Sequence, residues 1–139
     1  MKTLSVVLAL LVAAVAVQAA DPEEADIIAI VDQAYVHGVH IDADAEKMRA
    51  GMHDAFVMFV LANDNVTQLT RDAWIERLKT AKPQPDTRAD IKVLDRSGSA
   101  AVARVELFRG GKQIFTDYIS LYRVNGEWKL VGKVFHRHP

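Results

Sequence analysis

The sequence predicts an α+β fold, with helices covering one face of a curved antiparallel sheet. Three observations predict it. Helical periodicity is confined to the stretches 25–52 and 70–82, with one compact apolar run between them. From Thr87 onward every segment has strand pattern. The pairs Ser97-Gly98, Gly110-Gly111 and Asn125-Gly126 divide that second half into four pieces, as successive hairpins would.

From Ala25 to Val39 the apolar residues Ile27, Ile28, Ile30, Val31, Ala34, Tyr35 and Val39 recur mainly at spacings of three and four, which predicts a helix with one buried face. Pro22 suits its first turn, where a missing N–H costs no hydrogen bond. A second, short helix begins at Asp42 or Asp44, either of which can cap it, and carries Ala45, Met48, Ala50 and Met52. The run Ala55–Leu61 is β-branched and aromatic and predicts a strand ending at the turn-like Asn63-Asp64-Asn65. Thr70 caps a third helix with Trp74, Ile75 and Leu78 on one side, and this helix stops before Pro83 and Pro85. Four strands follow, Ala89–Leu94, Ala100–Phe108, Gln113–Val124 and Glu127–Phe135. Asn125-Gly126 is the pair best suited to a two-residue hairpin, because both positions tolerate positive φ.

Residues 1–19 read as a cleavable secretory signal: basic Lys2, an apolar run from Leu4 to Val17, and the small-residue exit Val17-Gln18-Ala19. The run is shorter than the roughly 20 apolar residues of a membrane span. Acidic Asp21, Glu23 and Glu24 follow it where a membrane anchor would carry basic residues. The expectation is a secreted or periplasmic protein, free of a membrane anchor after cleavage, with residues 20–139 forming a single domain. The chain has no cysteine, so neither disulfides nor a thiolate nucleophile enter the argument. The net charge is -1, and no dense run of Lys and Arg is present, so a nucleic-acid partner is not expected.

Two stretches carry a resemblance. One is Tyr35-Val36-His37-Gly38-Val39 with Asp42 and Asp44, then Met48, Met52-His53 and Phe56; the other is Asp117-Tyr118-Ile119-Ser120-Leu121 running into Val124-Asn125-Gly126-Glu127-Trp128-Lys129-Leu130-Val131. With the element order, they resemble the NTF2-like (SnoaL-like) α+β cone, and within it the branch described as putative lumazine-binding. Asp54 departs from the pattern, since relatives commonly have proline after the histidine. The resemblance implies three helices packed on a strongly curved sheet around a pocket, and a homodimer formed through the open sheet face.

Candidate site residues follow from the residues and the resemblance together. His53 lies at a helix-to-strand joint, where the resemblance implies the pocket mouth; it is either a general base and ligand contact or a local cap. Asp117 shares a strand face with Phe115, Ile119 and Leu121, while Tyr118, Ser120 and Tyr122 share the other, so Asp117 is expected inside. There it has a raised pKa and shuttles a proton, as related isomerases and dehydratases do, or it pairs with Arg104 on a neighbouring strand, the preferred reading. Tyr35, Phe56, Trp74 and Phe135 are candidate ligand contacts, with plain core packing as their alternative.

His37 and His40, three apart, share a helical side, but no third ligand or His-Glu-x-x-His signature accompanies them, so no metal and no cofactor is assigned. His136 and His138 read as a solvated end. Asn65-Val66-Thr67 is a glycosylation sequon that matters only in a glycosylating host. The function expected is binding of a small, partly apolar molecule between the first helix and the sheet. An acid–base enzyme using His53 and Asp117 is the first alternative. The second is an association domain whose exposed sheet carries Tyr118 and Tyr122.

Overall fold

The computed structural model describes residues 20–139, so the signal reading of residues 1–19 lies outside the described residues. Helix α1 spans Pro22–Val31, with Asp21 accepting from the Glu23 amide and Pro22 in the first turn. It continues as a π-helical stretch, Asp32–Ile41. Helix α2 (Ala45–Gly51) is capped by Asp44, which accepts from the amides of Glu46 and Lys47. Helix α3 (Arg71–Leu78) is capped by Thr70, whose hydroxyl accepts from the Ala73 amide. Among the described residues no helix is long and apolar enough to cross a membrane.

Strands β1 (Met52–Ala62), β2 (Asn65–Thr70), β3 (Arg88–Ser97), β4 (Ala100–Arg109), β5 (Lys112–Val124) and β6 (Glu127–Arg137) form one sheet. Its order is β2-β1-β6-β5-β4-β3. The meander β3 to β6 is antiparallel, as expected, and Asn125 and Gly126 both have positive φ at its last turn. Two features were not foreseen. Asn63 and Asp64, at φ 50° and 59°, form a hairpin turn that leads into β2, so the turn joins two strands instead of ending one. Strand β1 also joins the sheet by pairing in parallel with β6.

The helices cover the inner face. Ile27, Val31 and Ala34 of the first helix, Met48 of α2 and Ile75 of α3 are buried with Ala103, Val105, Leu107, Ile119, Leu121 and Leu130 of the sheet. Gly51 shows how closely α2 approaches the first helix: a Cβ there would lie 2.4 Å from the Ala34 Cβ. The alternation expected along β5 holds, with Asp117, Ile119 and Leu121 inside and Tyr118 and Tyr122 42% and 53% exposed.

Candidate functional site

A cavity of about 210 Å³ opens between the π-helical stretch, α3 and the far ends of β5 and β6. Tyr35, Val39 and His40 line it from the helix, Met58 from β1, Trp74 from α3, and Phe115, Lys133, Phe135 and Arg137 from the last two strands. The π-helical winding brings Tyr35 and His40 together. With hydrogen bonds running from i to i+5, as from the Asp42 amide to the His37 carbonyl at 2.9 Å, residues five apart come onto one side. The two rings meet edge to face, with centroids 5.1 Å apart.

Behind this wall is a buried polar relay. The Tyr35 hydroxyl donates to Asp117 Oδ2 at 2.9 Å, and the Lys133 ammonium donates to Asp117 Oδ1. Asp117 is fully buried and Lys133 is 5% exposed. Burial drives the Asp117 carboxyl above and the Lys133 ammonium below their ordinary ranges, each partly restored by the other's charge and hydrogen bond. Burial and the neighbouring carboxylate hold the Tyr35 hydroxyl protonated, its pKa raised well above the usual value. Three ring faces surround the ammonium, with centroids 4.1 Å (Phe135), 5.1 Å (Tyr35) and 5.8 Å (Trp74) away.

His40 completes the set. Its Nε2 is buried and has no hydrogen-bond partner. Burial first, and then the charges of Lys133 and Arg109, push its pKa down to about 3, so the ring is neutral near neutral pH. A buried polar atom without a partner is costly and rare, and this one has almost no accessible surface, so it lies behind the cavity wall and not in its opening.

Tyr35, Trp74 and Phe135 therefore stand in the cavity wall. Phe56 does not: it is buried behind Trp74, stacked at 6.0 Å. Asp117 lies inside, but its partner is Lys133 and not Arg104. Arg104 sits opposite Tyr118 on the outer face, 3.9 Å from Glu106. Both Asp117 oxygens are engaged, so the carboxylate meets the cavity only through Tyr35 and Lys133.

His53 stands elsewhere, in a shallow surface depression with Ala55, Tyr122, Arg123, Val124 and Val131, where its Nδ1 accepts from the Ala55 amide at 3.1 Å. An acid–base pair of His53 and Asp117 is thus not assembled, because the two side chains belong to opposite faces of the sheet. His37 and His40 also separate. His37 is half-exposed beside Asp42 (3.0 Å) and Asp32 (3.8 Å), while His40 turns to the cavity. No cluster of three potential metal ligands occurs among the described residues. His138 is tied to the Thr116 hydroxyl at 2.9 Å, so the His136-His138 end is more ordered than a solvated terminus.

Lys133, His40 and Arg137 were not among the expected site residues. Plain alternation from Trp128 and Leu130 would turn Lys133 outward. A bulge reverses it: Leu121 faces Leu130 but Ser120 faces Gly132, so Val131 is the extra residue and everything after it changes face. Two larger depressions, about 370 Å³ beside Asp26, Gln33 and Glu127 and about 390 Å³ beside His53, are open surface hollows lined by none of the relay residues. The smaller cavity is the one with concentrated chemistry.

Comparison with known proteins agrees with this architecture. The chain is similar to a solved NTF2-like protein of unknown function from Shewanella baltica, with 27% identity and a TM-score of 0.72 over 84% of this chain and 94% of that one. An NTF2-like protein of unknown function from Methylobacillus flagellatus has 24% identity and a TM-score of 0.69 over 87% and 97%. A structure described as a putative aromatic ring hydroxylase from Novosphingobium aromaticivorans, at 14% identity and TM-score 0.62 over 86% and 93%, shares the fold alone. No curated protein matches the chain. The profile of the family described as "Putative lumazine-binding" matches residues 23–136, and the chain belongs to that family, with an NTF2-like α+β fold.

Proposed function

We propose that this is an exported binding protein that holds a small, partly apolar molecule in the cavity between the first helix and the sheet, with no catalytic step assigned to it. One observation carries the reading: the cavity is walled by aromatic rings yet has a buried lysine in its lining and a buried, unpartnered imidazole nitrogen behind it. A core evolved only for stability gains little from such groups: the attraction within a buried ion pair chiefly offsets its lost hydration, and a buried nitrogen without a partner is a net cost. An apolar pocket with a few convergent polar groups is the usual form of a small-molecule site.

Native mass spectrometry of the protein from its own host's exported fraction, beside a denatured spectrum of the same sample, tests the proposal. It predicts a non-covalent mass on the native species and a polypeptide beginning at Ala20. A native species that stays empty, and takes up nothing when incubated with its host's small-molecule extract, contradicts it. Exposed Tyr118, Tyr122 and Val134 on the outer sheet face support a homodimer formed there, which sedimentation of wild type and Tyr118→Glu would check.

The enzyme alternative keeps one supporting observation, the Tyr35–Asp117–Lys133 relay with its displaced proton affinities. If a reaction occurs, these residues and not His53 supply its acid and base. A turnover lost in His53→Ala but kept in Lys133→Met would contradict that assignment.

A further inference from the structure

The cavity's shape and charge narrow the class of molecule it takes, an inference that rests on the binding role proposed above. Its volume, about 210 Å³, is below the roughly 300–1,000 Å³ of pockets for drug-sized ligands. One ring, or two fused rings, fills it. Five of the nine lining residues, Tyr35, His40, Trp74, Phe115 and Phe135, present flat rings. Phe115 and Phe135 stand edge to face with centroids 5.7 Å apart, and Phe56 backs Trp74, so these walls are fixed by packing and suit a planar body.

The charges are one-sided. No carboxylate lines the cavity. The nearest, Asp117, is fully buried behind Tyr35 and Lys133, so a cationic ligand in the cavity does not reach it. Lys133 spends one of its three N–H donors on Asp117 and turns the rest of its ammonium to the rings. Arg137 lies in the cavity wall beside the Phe115 ring, 5.2 Å from its centroid, and makes no salt bridge among the described residues. Asp117 cancels Lys133, which leaves Arg137 as an uncompensated positive charge at the opening.

We propose that the ligand is a small planar aromatic acid, its ring held among Trp74, Phe115 and Phe135 and its carboxylate turned to Arg137. A carboxylate offers about four acceptor sites and matches a guanidinium in two parallel hydrogen bonds, which a neutral ring cannot do. An uncharged hydrocarbon would fill the same volume and leave Arg137 without a partner.

Isothermal titration calorimetry with three probes of similar size separates shape from charge: benzoate, benzamide and cyclohexanecarboxylate. In the wild type, benzoate should bind about ten-fold more tightly than benzamide, the scale of one charge-assisted contact, and more tightly than the saturated acid. Arg137→Gln, at an exposed position, should erase most of the benzoate preference, weakening benzoate far more than benzamide. Equal affinities for benzoate and benzamide overturn the acid, and leave the cavity standing as a binding site. Equal binding of benzoate and cyclohexanecarboxylate overturns the planar ring. A full benzoate preference in Arg137→Gln overturns the placement of the carboxylate. If none of the three binds, the ligand class is wrong, while the binding role is still decided separately by the native mass spectra.

Discussion

Two sets of ion pairs tie distant parts of this chain together, and they differ in where they sit. Arg96 bridges Asp21 at 2.7 Å and Glu23 at 2.6 Å, and Arg123 reaches Glu23 at 2.5 Å, all partly exposed where the first helix begins beside the sheet. Asp117 and Lys133 pair across neighbouring strands with almost no exposure. The outer set fastens a helix end in water, where screening and side-chain entropy leave little net gain. The inner pair has given up its hydration, and its attraction chiefly offsets that cost. An arrangement that contributes little net stability, beside a cavity, points to a role other than holding the fold.

Breaking the inner pair should have the largest effect. Asp117→Ala strands a buried ammonium and should lower stability by about 3–5 kcal/mol in urea denaturation. The double variant Asp117→Leu/Lys133→Met, which removes both charges, should recover most of that loss. A double variant as unstable as the single one would mean that packing, not charge, governs the site. Gly51→Ala probes packing without charge. Its new methyl would meet the Ala34 Cβ, at 2.4 Å, and Ile30 Cδ1, at 2.9 Å, and should cost about 1–3 kcal/mol in the same assay.

The imidazole of His40 extends the comparison to pH. Its folded pKa, about 3, is below the ordinary 6.5, so between these values the unfolded chain binds a proton that the folded chain refuses. Stability from this group is full above pH 6.5 and falls as the pH drops toward 3, by up to about 1.4 kcal/mol per pH unit. Denaturation from pH 6.5 to 5 should show that slope in wild type and its loss in His40→Gln. Smallest of all, Arg96→Ala should shift Tm by no more than about 3 °C, and the shift should shrink further in high salt. A shift as large as that of Asp117→Ala would erase the distinction between the two sets.

Much of the frame was legible because local chemistry and the fold agree. Asp44 and Thr70 cap the helices they were expected to cap, and Asn125-Gly126 turns the last hairpin. Period-two alternation put Asp117 on the buried face of β5. Strand β2 escaped notice because only Leu69 of its six residues is buried, leaving no alternation to read. The site was less legible than the frame, for two structural reasons. A π-helical stretch aligned Tyr35 with His40, where α-helical spacing pairs His40 with His37. The bulge at Val131 turned Lys133 inward and with it Phe135 and Arg137. Both are departures from regular geometry, and both lie against the cavity. Sequence periodicity fails there because the backbone itself changes period.

On the proposed function, the inner cavity, and not the outer depression at His53, receives the ligand. Chemical-shift mapping of the isotope-labelled protein during titration with benzoate tests it most directly, since the two places share no residue. Binding in the inner cavity should give saturable shifts at the Trp74 indole and at the amides of His40, Phe115 and Phe135, with His53 and Tyr122 unmoved. Shifts concentrated at His53, Tyr122 and Val131, with Trp74 silent, would contradict it.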